Sequence, residues 1–201
     1  MVPIKKKIII IFLLLIACAN SYSQSSGTLV TYTKVSDSLK NKLQNPLTLE
    51  AYRQYFWKNI PKPIGWVSDF DDIFTKKNLD VLDSTLKQFN METGIQMAIV
   101  TLDTFCISKD NFDDLALHIA NYWGVGRKDK DNGILISICK GYRLMKINNG
   151  YGIEKFISDE ETKAIIDKYF IPYFKNGDYY QGTLTGLTEY INLIKRKRKK
   201  D

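Results

Sequence analysis

The sequence predicts an α/β fold, a small mixed sheet with helices available for both faces, and three observations predict it. Apolar residues recur at helical spacing in several stretches, among them Leu79, Leu82, Leu86 and Phe89. A short apolar run at 95–102 (IQMAIVTL) has the length and character of a strand buried on both faces. Apolar runs at 134–139 and 142–148 flank Lys140-Gly141, which reads as an antiparallel hairpin with a glycine supplying the positive φ of the turn.

Ahead of these elements, Lys5, Lys6 and Lys7 precede an unbroken apolar run at 8–17. That run is short of the roughly 20 residues that span a bilayer. Ser21 and Ser23 supply a small-x-small pattern, so residues 1–23 read as a signal peptide cleaved before Gln24. Leu15-Ile16-Ala17-Cys18 also resembles a lipobox, in which residues 1–17 are a lipoprotein signal and Cys18 is acylated. Both readings stand, and both make the mature chain periplasmic or envelope-associated. No second apolar run is long enough to cross a membrane.

The whole chain carries +7, but the signal holds three lysines and residues 195–201 a net charge of about +5. The part between is close to neutral, which argues against a nucleic-acid face. The tail reads as a solvated end, or as one that touches anionic lipid. Cys106 and Cys139 remain after processing; an exported protein permits a bridge between them without requiring it, and two thiols are expected.

The elements follow in order. Residues 24–64 form an N-terminal extension, broken by Pro46, Pro61 and Pro63, with one short helix at 47–57. Its aromatics, Tyr52, Tyr55, Phe56 and Trp57, are expected to cover part of the domain. Thr75 is an N-cap candidate for a helix that ends near Gly94. A second helix at 111–123 carries Phe112, Leu115, Ile119 and Trp123 on one stripe. Ser158-Asp159-Glu160-Glu161 is a capping box, worth on the order of 1 kcal/mol, opening a helix that turns Ala164, Ile165 and Tyr169 inward and stops at Pro172. A last helix, 178–197, displays Leu184, Leu187, Ile191 and Ile194.

An antiparallel hairpin places the entry to its first strand beside the exit of its second. The loops at 124–133 and 148–159 must therefore adjoin, and they hold Asp129, Asp131, Asn132, Glu154 and Asp159. Oxygen ligands on glycine-rich loops suit Ca²⁺ or Mg²⁺, whereas zinc wants histidines or thiolates. Gly124, Gly126, Gly133, Gly150 and Gly152 let backbone carbonyls turn toward an ion. The same residues also have a plain structural reading. Asp-Asn-Gly is ordinary turn chemistry, and Asp159 suits a helix N-terminus.

Other chemistries find little support. His118 is the only histidine and lies in a helix with no triad arrangement around it. Gly124-Val125-Gly126 follows a helix rather than a strand, and no P-loop exists. Arg127, Lys128 and Arg143 either ground a phosphate near the acidic loops or are simply solvated.

The segments WVSDFDDIF, TGIQMAIVTL, ANYWGVGRKDKDNGILI, YRLMKINNGYGIEKFISD and IPYFKNGDYYQG, in this order and spacing, resemble the TPM domain family over about 130 residues. The resemblance implies a three-layer α/β/α sandwich at 65–194, located in the bacterial envelope or in thylakoids, that holds divalent metal ions. It also implies weak acid-phosphatase activity in a plant branch. Asp69 matches an acidic position of the pattern and is a further metal-ligand candidate beside Asp71 and Asp72, which also suit the N-terminus of the following helix. Unlike many bacterial relatives, this chain shows no C-terminal transmembrane helix or Gly/Ser-rich tail.

Two functions follow as expectations. The first is a divalent-metal-binding interaction or maintenance module of an envelope protein complex, held near the membrane through Cys18 or the basic tail. The second is a metal-dependent phosphomonoesterase, with the ion at Asp129, Asp131, Glu154 and Asp159. No nucleophile or general base stands out, which favours the first.

Overall fold

The computed structural model describes residues 41–198 apart from 43 and 128. The two signal readings, Cys18, the first part of the N-terminal extension, Lys128 and residues 199–201 lie outside the described residues. The chain divides into two units, Met1–Pro61 and Lys62–Asp201. In the first unit a helix α1 (Pro46–Lys58) is capped by Asn45, whose side chain accepts the Leu47 N–H at 2.9 Å. Pro46 begins the helix, where a missing N–H has no intrahelical partner to lose.

The second unit runs β1 (Val67–Asp69), α2 (Lys76–Thr93), β2 (Gln96–Thr101), α3 (Phe112–Trp123), β3 (Gly133–Cys139), β4 (Leu144–Asn149) and α4 (Tyr151–Glu154). It continues with α5 (Asp159–Ile165), a π-helical turn (Ile166–Phe170), α6 (Ile171–Lys175) and α7 (Tyr179–Arg198). The strands form one sheet of order β1-β2-β3-β4, with β1, β2 and β3 parallel and β4 antiparallel to β3. The fold is α/β around a mixed sheet, and the expected hairpin pairs Cys139 with Leu144 through to Ile134 with Asn149. Strand β1 is additional, because three residues inside WVSDFDDIF are too few to show a period.

Strand alternation divides the core. Val67, Ile99, Ile136 and Ile147 share one register row and one cluster with Leu82, Leu86 and Phe89 of α2 and with Leu187, Tyr190, Ile191 and Ile194 of α7. The alternate residues Val100, Leu135 and Cys139 are equally buried and point the other way. Helix α3 packs against β3 and β4 on that face, with Leu115 and Ile119 buried and Asp113 paired to Lys146 at 2.9 Å. The two parallel crossovers thus leave opposite faces while stepping in the same direction across the sheet. They cannot share a hand, so one departs from the strong right-handed preference of such connections.

Helix α2 begins as expected at Thr75, with a capping box that uses Asn78, and ends at Gly94 in the left-handed region. The β3–β4 turn differs from the expectation. Its positive φ falls on Arg143, at 55°, and not on Gly141. Space favours glycine at 141, since a Cβ there would lie 2.5 Å from the Thr104 side-chain methyl Cγ2.

The Ser158/Glu161 capping box forms, yet the helix it opens does not stop at Pro172. The chain widens into the π-helical turn and Pro172 enters the first turn of α6, where its lack of an N–H is tolerated. Ala164, expected inward, is exposed, and Phe170 is the fully buried residue of this stretch.

The basic run at 195–201 is also not a free tail over its described part. Helix α7 continues through Arg198, where Lys195 pairs with Glu92 and Lys197 with Glu161, each at 2.6 Å. Arg198 donates to the Thr93 carbonyl at 2.8 Å, at the C-terminus of α2, where the helix dipole favours a cation. No helix among the described residues is long and apolar enough to cross a membrane.

Candidate functional site

The antiparallel register brings the start of β3 beside the end of β4, and the loops at 124–132 and 150–158 meet there. Gly150 N–H donates to Gly133 O at 2.8 Å, and Gly152 N–H donates to Asp131 O at 2.9 Å. Only glycine permits this approach: a Cβ at 150 would lie 2.2 Å from the Asp131 carbonyl, and one at 152 would lie 2.0 Å from the Lys130 carbonyl. These glycines therefore admit carbonyls of the facing loop, and the Asp131 carbonyl is already engaged by Gly152.

The loop at 124–132 is fixed by its own bonds. Lys130 and Asp131 N–H groups both donate to Arg127 O, at 2.9 and 2.8 Å, and Asp131 takes a positive φ of 46°. Asn132 is structural. Its Oδ1 accepts the Arg127 N–H at 3.0 Å and its Nδ2 donates to Gly94 O at 2.8 Å, tying the loop to the α2–β2 junction. Gln96 Oε1 adds a bond from Gly126 N–H at 2.9 Å.

The candidate ligands stand on this frame. Asp129, Asp131, Glu154 and Asp159 are all exposed. Asp129 faces Arg127, with Nε to Oδ1 at 3.2 Å and the guanidinium again donating to Oδ2 at 3.3 Å. Asp159 opens α5 beside Glu160 and Glu161. A bond with the Ser158 side chain holds Glu160 below the usual carboxylate range, and the Lys197 ammonium does the same for Glu161. No three His, Cys, Asp or Glu side chains converge as a ready metal cage among the described residues. The side-chain donors these loops offer are all oxygens, a chemistry that suits a hard cation keeping part of its water shell.

The structure sets Asp69 apart from this group. It ends β1, in register with Thr101 and, through β2, with Ile138, while the paired loops lie at Gly133. The separation along the strands is about 16 Å. The Asp69 carboxylate accepts from Ile73 N–H, Phe74 N–H and Thr101 Oγ1, at 3.1, 2.9 and 2.5 Å, and so builds the turn into α2. Arg143 lies at that same far end of the hairpin, away from Arg127.

The remaining candidates are placed elsewhere. His118 is half-buried on α3 with its ring 6.5 Å from that of Tyr122. Cys106 and Cys139 are buried and not bridged, and burial pushes the Cys139 thiol up to about 11. A groove of about 230 Å³ beside the loops is lined by Trp66, Gln96, Met97, Trp123 and Val125, with no titratable group on its wall.

Sequence reasoning missed the polar network beneath the loops. Asn149, Thr162 and the fully buried Tyr190 are joined by hydrogen bonds there. A tyrosine three residues after Leu187 falls on the apolar stripe of α7, which was the available signal.

Comparison with known proteins places the chain. The TPM domain family model matches residues 67–193. Among solved structures, the N-terminal domain of a P. gingivalis protein is similar at 26% identity and a TM-score of 0.59, covering 64% of this chain and 81% of that one. The BA42 protein of the psychrophilic bacterium Bizionia argentinensis shares the fold at 16% identity and a TM-score of 0.55, covering 63% of this chain and 85% of that one. No curated protein matches the sequence. With more than half of its length matched by the family model, the chain belongs to the TPM domain family.

Proposed function

We propose that this TPM-domain chain is an exported envelope protein that binds Ca²⁺ or Mg²⁺ on its paired loops and uses the ion for interaction within an envelope complex, without strong catalysis. The observation that carries the reading is the backbone interlock of Gly150 with Gly133 and Gly152 with Asp131, which holds two oxygen-rich loops edge to edge. Asp131, Glu154 and Asp159 are the residues assigned to hold the ion, with Asp129 joining them when it leaves Arg127. Such an ion would supply charge and open coordination positions to an acidic partner group. A phosphomonoesterase is less well supported, because Arg143 stands at the other end of the hairpin and the Cys139 thiol is buried and hard to ionise.

Calorimetric or NMR titration of residues 24–201 with Ca²⁺ and Mg²⁺, beside an Asp131→Asn/Glu154→Gln variant, tests the reading. Saturable binding that the variant loses is the expected result. No binding by the parent at millimolar ion overturns it. Intact mass of the mature protein tests export, expecting a chain that starts at Gln24 or at an acylated Cys18.

A further inference from the structure

The loop between β4 and α5 is tied at both ends to one buried phenol. Asn149 ends β4 directly before Gly150, and Thr162 lies in α5 shortly after Asp159. Tyr190 of α7 donates its hydroxyl to Asn149 Oδ1 at 2.8 Å, and Asn149 Nδ2 donates to Thr162 Oγ1 at 3.1 Å. Thr162 Oγ1 donates in turn to Ser158 O at 3.0 Å, the residue that caps α5. Each hydroxyl uses its single proton once in this chain, so the 3.3 Å contact between Thr162 Oγ1 and the Tyr190 oxygen requires none.

We propose that Tyr190 is a positioning residue for the paired loops: its hydroxyl, acting through Asn149 and Thr162, sets where Gly150 to Asp159 sits against Asp131. The inference rests on the cation reading above and names a residue on another element that governs its affinity. Burial holds the hydroxyl protonated, with its pKa pushed up to about 12, so it donates at all physiological pH. The charge of Asp159, a candidate ligand, reaches the same phenol. The ring itself packs in the core between α7 and the sheet, a role that phenylalanine keeps. What phenylalanine removes is the donor that orients the Asn149 amide.

The test is a calcium titration of the mature chain, comparing the parent, Tyr190→Phe, and Ile191→Val as a control that trims the same helix without touching the network. Loss of a group bonded to a metal ligand typically weakens affinity about tenfold or more; Tyr190 acts one bond further out, so a loss of up to about tenfold is expected for Tyr190→Phe and none for Ile191→Val. Amide shifts in the ion-free variant are expected to concentrate at 150–159. Thr162→Ser, which keeps the hydroxyl, is expected to bind as the parent does, while Thr162→Val weakens binding. Parent-like affinity in Tyr190→Phe, or an equal loss in Ile191→Val, overturns the inference while leaving the cation reading intact. Absence of calcium binding by the parent removes both.

Discussion

The Gly152 N–H meets the Asp131 carbonyl at 2.9 Å while Asp131 holds a left-handed backbone at φ 46°, so the two acidic loops are locked through their main chains. Gly152→Ala would place a methyl 2.0 Å from the Lys130 carbonyl, a backbone atom that cannot swing aside. The expected cost is about 1–3 kcal/mol or more, measured by urea unfolding. Asp131→Asn is expected to be nearly silent in the same measurement, because asparagine tolerates the left-handed region as readily as aspartate. That makes it a clean probe of charge in the ion titration.

Asp83 protects the edge of the sheet. Its Oδ1 accepts the Val67 N–H at 2.9 Å, at the first residue of the short edge strand β1. Asp83→Ala leaves that donor without its charged acceptor and is expected to cost about 1.5–3 kcal/mol. Hydrogen exchange at Val67 should accelerate by more than that at Ile136, which lies inside the sheet. Equal acceleration at both positions would count against a local edge role.

Acidification should release the end of α7. A hydrogen bond from Lys195 is the main cause holding Glu92 below its ordinary value of 4.5, and one from Lys197 does so for Glu161. A folded value below the unfolded one gives stability that is complete above about pH 4.5 and lost as pH falls through the lowered values. The melting temperature of the parent is expected to fall between about pH 5 and about pH 3, and Glu92→Gln/Glu161→Gln should flatten that slope. Because the pairs are partly exposed, about 1 M salt should flatten it too.

What could be read from the sequence follows from how far each signal reaches along the chain. Helix α2 was legible because Thr75, Leu82, Leu86, Phe89 and Gly94 are all local marks of one helix. The adjacency of the two loops was legible because a hairpin fixes it. Asp69 could not be placed by pattern, since its acidic neighbourhood is sequential while its bond to Thr101 depends on the pairing of β1 with β2. The Tyr190 network was hidden for the same reason: Asn149, Thr162 and Tyr190 come from three elements. The basic run misled because six cations in seven residues read as solvated, and only the fold brings Glu92 to Lys195 and Glu161 to Lys197.

The hairpin turn separates two reasons for glycine that sequence alone confuses. Gly141 does not take the positive φ; Arg143 does, at 55°, where a side chain other than glycine pays about 1–2 kcal/mol in strain. Arg143→Gly should therefore stabilise the protein despite adding freedom to the unfolded chain, by up to about 1 kcal/mol. Gly141→Ala should destabilise it because the new methyl meets Thr104 Cγ2 at 2.5 Å. Thr104→Ser removes that methyl and keeps the hydroxyl, so it should restore most of the loss in the Gly141→Ala background. If Thr104→Ser restores nothing, contact with the Thr104 methyl is not what requires glycine at 141.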